Sequence, residues 1–320
     1  MKKTHKLISI LIVLAMLLSV APLSFVTTTA AEITMSEPVL TTDKYDINGD
    51  GTNDAVYEIT DVSELYWFAN LVNTKAKDGG NNKANAILMN NITVNENVIV
   101  DGALTSDTSS LNVWTAMGKT VFSSGWYGGW FDGNGKTITT TAPLFANLQG
   151  TVKNLTVVGA IDAATLNCGV VAMWTNGTIT VENVYNKATI VNGNTTGGIL
   201  GYGFFNVGND LATDAGALFT GCVNNGAVSS TLGHTGGIMG RSAYSKSVAF
   251  DKCINNGAIC GGHNTGGIFG HSSVKNFLAT GYHALPYNGK LIVLPENVDA
   301  ADTATLIEKI KNAPVGQTTE

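Results

Sequence analysis

Two phrases decide the fold: CVNNGAVSSTLGHTGGIMG at 222–240 and CINNGAICGGHNTGGIFG at 253–270. They are one phrase with small substitutions, poor in charge and rich in Gly and Asn. Working outward, two weaker copies precede them. The four openings are VKNLTVVGAI (152–161), VENVYNKATI (181–190), FTGCVNNGAV (219–228) and FDKCINNGAI (250–259). Each leads through a polar loop to a small-residue segment: CGVVAM (168–173), GGILGY (197–202), GGIMGR (236–241) and GGIFGH (266–271). Start-to-start spacings are 29, 38 and 31, and the longest carries an insertion, FFNVGNDLATDAG, at 204–216. Self-similarity at this period marks a stacked repeat architecture.

Each unit has room for three short β-branched strands punctuated by Asn-Gly and Gly-Gly, and none for an amphipathic helix. A single unit cannot bury its apolar face. Stacking solves this, because each strand pairs in parallel with its counterpart about 4.8 Å away. The predicted fold is therefore all-β: a right-handed parallel β-helix, its hand following the parallel-crossover preference. Stacking sets like over like, and like charges in register repel; charged residues are only 13% of the chain. Asparagines in register can bond to one another and to turn backbone, and they tolerate left-handed backbone. Asn186, Asn224 and Asn255 form one such column. The glycine pairs at 197–198, 236–237 and 266–267 supply positive φ or close approach. Ile199, Ile238 and Ile268 should form one inward row. Cys222 and Cys253 share a repeat position and read as stacked, buried free thiols. With Cys168 and Cys260 they match no zinc or redox spacing.

The ends differ from the repeats. Lys2, Lys3 and Lys6 precede the apolar run LISILIVLAMLLSV (7–20), then Pro22 and the small residues TTTAA (27–31). That is the layout of a signal peptide, 1–31, cleaved after Ala31; the run is shorter than the roughly 20 residues a span needs. Without its three lysines the chain has 15 basic against 24 acidic residues, a net charge of −9. This excludes the clustered basic surface that nucleic acid or anionic membrane calls for. Residues 32–58 form an extension with an Asp/Asn-rich turn. ITDVSELYWFANLVN (59–73) predicts a helix from Asp61, with Glu64 completing a capping box and Leu65, Phe68, Ala69 and Val72 on one face. Such a helix would cap the open end of the stack, whose unpaired edges need cover. The capped β-helix is assigned to 59–285 and the repeats to 152–275. The tail, 286–320, holds a short C-terminal helix in ADTATLIEKIKNA (301–313) and is read as a second cap or a linker.

The repeats resemble the GLUG motif of bacterial secreted β-helical proteins, which include non-catalytic regions of IgA-protease-like surface proteins. ILMNNITV (87–94), GGWFDGNGKTIT (128–139) and APLFANLQGTVKNLTV (142–157) are similar to that family's coils, so the resemblance covers about 55–285. The motif departs from its Gly-Leu-hydrophobic-Gly core in carrying Ile after the Gly pair. The resemblance implies a secreted or cell-surface module for adhesion, glycan or protein binding, or scaffolding, with a host or environmental glycan or surface protein as partner. It implies no membrane insertion after signal cleavage, and a monomer or part of a longer surface assembly. The alternative is a polysaccharide-lyase-type enzyme. His-Glu-x-x-His is absent, so the protease activity of longer relatives is not implied.

Candidate site residues are few. Asp46, Asn48, Asp50, Thr52 and Asp54 follow the front half of a calcium loop, but position 12 is Tyr57 rather than Glu; the alternative is a polar surface turn. No cofactor is otherwise required. Trp126, Tyr127 and Trp130 in SSGWYGGW are the glycan-stacking candidates, with Trp114 assigned to packing. Thr196, Thr235 and Thr265 share a column, broken by Asn167. Asp162, Glu182, Lys187, Arg241, Lys246, Asp251 and Lys252 are scattered without sharing columns. His234, His263 and His271 fall in three different columns, so no shared metal is implied.

Overall fold

The structure, a computed structural model, describes residues 33–74, 78–95, 98–100, 103–105, 111–118, 125–164, 166–204, 215–231, 233–243, 247–261, 264–272, 282–287 and 290–295. The signal segment and the helix expected at 301–313 lie outside these residues. The protein is mostly β, with one α-helix among the described residues, Val62–Asn73.

Successive repeats pair strand over strand. The first strands Thr151–Asp162, Ile179–Asn186, Ala215–Thr220 and Ser247–Asp251 run parallel, matching Val152 to Val181, Val181 to Phe219 and Phe219 to Phe250. The second strands Thr189–Gly193, Val228–Ser230 and Ile259–Cys260 continue that sheet. The third strands build a five-stranded parallel sheet from Phe145–Asn147, Ala172–Thr175, Leu200–Phe204, Met239–Ala243 and Phe269–Ser272. Ile199, Ile238 and Ile268 are wholly buried in one core cluster. The Ile199 N–H donates to the Ile238 carbonyl and that of Ile238 to Ile268, each at 2.9 Å. Burying each such side chain contributes about 1.5–3 kcal/mol.

The asparagine column forms as expected. Asn186 Nδ2 donates to Asn224 Oδ1 at 2.6 Å, and Asn224 Nδ2 to Asn255 Oδ1 at 2.7 Å, all three residues being fully buried. Left-handed backbone sits elsewhere. A column three residues upstream has it: Asn154, Asn183, Gly221 and Lys252, with φ of 52°, 51°, 61° and 52°. One column carries the side-chain ladder and the other turns the chain. The glycine pairs also resolve to one of their two expected roles. None has positive φ; a Cβ on Gly198 would strike the Gly237 carbonyl and the Asn224 amide, and one on Gly237 the Gly267 carbonyl and Asn255. Close approach is what demands glycine there.

Asp61 caps the helix by accepting from the Glu64 N–H at 3.0 Å. The return bond differs from the expected box: Glu64 accepts from the backbone N–H and hydroxyl of Thr60, one residue before the cap. Leu65, Phe68, Ala69 and Val72 enter the core, where Phe68 meets Tyr57, Tyr127 and Phe131 at 5.9, 6.2 and 6.3 Å between ring centres. Tyr66 packs edge-on to Trp114 at 5.3 Å. Both ends add antiparallel pairs that the repeat pattern does not predict: Val39–Tyr45 with Asp54–Ile59, and Tyr282–Tyr287 with Lys290–Pro295.

Candidate functional site

The Asp/Asn-rich turn joins the first antiparallel pair. Its carboxylates already accept backbone donors: Asp46 from Gly49, Asp50 and Gly51 at 2.8, 3.2 and 2.8 Å, Asp50 from Thr52 at 2.8 Å, and Asp54 from Ile47 at 3.0 Å. The bond from Thr52 holds the Asp50 carboxyl below its ordinary range. Asn48 accepts from Asp50 at 2.9 Å. The loop thus closes on itself through Asx-type bonds. Among the described residues, no three of His, Cys, Asp and Glu converge to hold a metal.

The aromatic candidates separate. Tyr127 is fully buried, stacks on Phe145 at 4.8 Å and donates its hydroxyl to the Ala84 carbonyl at 2.9 Å. Burial lifts its phenol well above the usual range. It is a core residue with no face for a sugar, held further by a parallel bridge to Leu148. Trp126 and Trp130 are partly exposed, each with a lysine over its ring: Lys83 at 5.6 Å and Lys153 at 4.8 Å. Trp114 is buried, as assigned.

The threonine column holds at Thr196, Thr235 and Thr265, but Cys168, not Asn167, stands in its first position. The first repeat has one more residue before its third strand than the second repeat has, which shifts the register. Thr196 and Thr235 are fully buried, so the column presents no flat threonine surface. Charges do share a column, contrary to expectation: Asp132, Lys153, Glu182, Thr220 and Asp251 lie in register. Signs alternate from Asp132 through Lys153 to Glu182, and Thr220 separates Glu182 from Asp251. Lys153 lies 3.8 Å from Asp132. Lys246 and His263 fall outside the described residues.

The groups the structure does bring together belong to two neighbouring columns. One runs Trp174, Tyr202, Arg241, His271 on the third strands. The other comprises Thr195, His234 and Asn264, whose carbonyls accept in turn from Cys168, Thr196 and Thr235 at 3.0, 2.8 and 2.9 Å. His234 and His271 occupy different columns, as read from sequence, yet their rings stack at 4.4 Å and 14°. Asn264 Nδ2 and His271 Nδ1 are 2.8 Å apart. The Arg241 guanidinium sits 5.5 Å from the Tyr202 ring centre, and Tyr202 stacks on Trp174 at 6.3 Å and 6°. Burial, and then the Arg241 charge, lowers the His271 imidazole below its ordinary value.

Asn167, Asn194, Thr195, Tyr202, Gly233, His234 and Arg241 line a pocket of about 340 Å³. That lies within the range of small-molecule sites, though its lining is more polar than most. It offers a planar cation, carboxamides, the Thr195 and Tyr202 hydroxyls and an imidazole, and among the described residues of the lining there is no carboxylate. Asp162, which acts on the neighbouring Cys168, accepts from the Ala164 N–H and Asn192 Nδ2 at 3.0 and 3.3 Å. Sequence alignment already sets Arg241 over His271. It gives no sign that the preceding loops fold against that column.

No family model matches the chain, and no curated protein matches it. Among solved structures it is similar to a Bacteroides ovatus chain described as a "putative immunoglobulin A1 protease". The two share 18% identity with a TM-score of 0.46, over 77% of this chain and 81% of that one.

Proposed function

We propose that the chain is an exported, non-catalytic right-handed parallel β-helix of GLUG-repeat type that binds glycan at a cell surface or outside the cell. The single observation carrying this reading is the polar pocket built by three successive repeats. Its groups match what sugars need: amide and hydroxyl partners for ring hydroxyls, beside an aromatic side chain. The parallel registers and the buried isoleucine row support the β-helix. The signal-like segment at 1–31 supports export, and the GLUG resemblance supports a surface role. The reading needs no cofactor; calcium in the Asp46–Asp54 loop is a separate addition, tested by comparing melting in chelator and in millimolar Ca²⁺.

The test is a glycan array followed by incubation of each hit with the protein. The expected result is saturable binding without product. Unsaturated uronates or new reducing ends would overturn it in favour of a lyase. An array with no hit would overturn glycan binding.

A further inference from the structure

We infer that the pocket selects an anionic sugar, a uronate or a sulfated unit, with Arg241 receiving its charged group. This rests on the glycan-binding reading and deepens it.

Three observations carry the choice. First, among the described residues of the lining, the charged one is a cation, Arg241. Guanidinium is planar and weakly hydrated, and it matches carboxylate and sulfate with paired N–H donors. Second, Arg241 is placed rather than loose. It is partly buried, flanked in register by Tyr202 and His271, and set over the Tyr202 ring. A pre-oriented cation loses less entropy on binding. Third, the rest of the lining is neutral and polar, suited to hydroxyls. The chain as a whole is acidic, so selection for an anion must come from the local charge at this pocket.

Position in the stack sharpens the argument. At the place of Arg241, neighbouring repeats carry Trp174, Tyr202 and His271. Stacking therefore does not require arginine there, and the charge is a local feature of one repeat. Asn194 and Thr195 from the preceding repeat stand beside it in the lining, so sugar hydroxyls and the anionic substituent can be met together.

The experiment measures binding of four oligosaccharides by calorimetry. They are a uronate oligomer, its methyl ester, a sulfated oligomer and its desulfated form. At least about tenfold tighter binding of either acid than its neutral counterpart is expected from charge-assisted bonds. Arg241→Gln should remove that ratio, bringing the affinity for each acid down to that for its neutral counterpart. Added salt should weaken only the acidic ligand, a readout available on the unmodified protein should the variant fold poorly. Equal affinity for acid and neutral forms overturns the inference and leaves the glycan reading standing. Binding of none of the four, with no array hit, overturns both. A preference that survives Arg241→Gln in folded protein overturns the assignment to Arg241.

Discussion

Two columns in the same stack obey opposite rules. Asn186, Asn224 and Asn255 repeat one residue from copy to copy, while Trp174, Tyr202, Arg241 and His271 change at every step. The first column faces inward, and each amide finds its partner in its own copy next door. Burial without such a partner costs about 1–3 kcal/mol per group, so the residue type is fixed by the stack. In the second column Trp174 is buried, while Tyr202, Arg241 and His271 are partly exposed. Its members touch neighbours, but stacking does not prescribe their chemistry. Repeat proteins of this kind thus separate what must recur from what is free to bind.

The contrast can be broken by experiment. The largest expected difference is in thiol reactivity. Cys168, Cys222 and Cys253 are buried and Cys260 is exposed. Burial and then Asp162 push the Cys168 thiol up to about 12, and the Cys222 contact followed by burial raises that of Cys253. Thiolate is the reactive form. Mass spectrometry of native protein treated with an alkylating reagent should show one modified cysteine, Cys260, and all four after denaturation. Rapid native labelling of Cys222 or Cys253 would mean the inner face is open.

Next in size is Asn224→Ala. It strands the Asn186 amide and the Gly226 N–H and carbonyl, and takes from the Asn255 oxygen one of its donors, leaving it the Gly257 N–H. The expected loss in a urea unfolding curve is roughly 3–4 kcal/mol, several unsatisfied groups acting together. A loss below about 1 kcal/mol would show that the amide ladder is not what specifies the column.

The smallest effect tests the column that turns the chain. Lys252 holds φ 52° where the neighbouring copies have Asn154, Asn183 and Gly221. Lysine pays a steric penalty there that asparagine largely avoids. Lys252→Asn should therefore stabilise by about 0.5 kcal/mol, read as a raised urea midpoint. A lowered midpoint would mean the lysine side chain contributes more than its backbone conformation costs.

Much of the inward structure was legible. Ile199, Ile238 and Ile268 recur at the repeat period, and the helix announces itself through Asp61, Glu64 and the Leu65–Val72 face. Tyr127 was misread because a glycine-rich flank looks like a loop, whereas its ring fills the core against Phe145. The shared charge column was already readable, since Lys153, Glu182, Thr220 and Asp251 each stand second in the four aligned openings; only its extension to Asp132, outside the repeats, was not. The antiparallel strand Val39–Tyr45 lies outside the repeats too, so their period carried no signal for it.

By itself the sequence determined the period, the apolar rows, the amide column and the capped helix, because each follows from spacing along one chain. The tertiary structure decided which outward groups meet. One residue of difference in loop length moves Cys168 into the threonine position. Only the folding of 194–195 and 233–234 against the third strands sets His234 on His271 and places Arg241 in a pocket. Those neighbours come from different repeats, and loop length and side-chain packing, rather than period, bring them together.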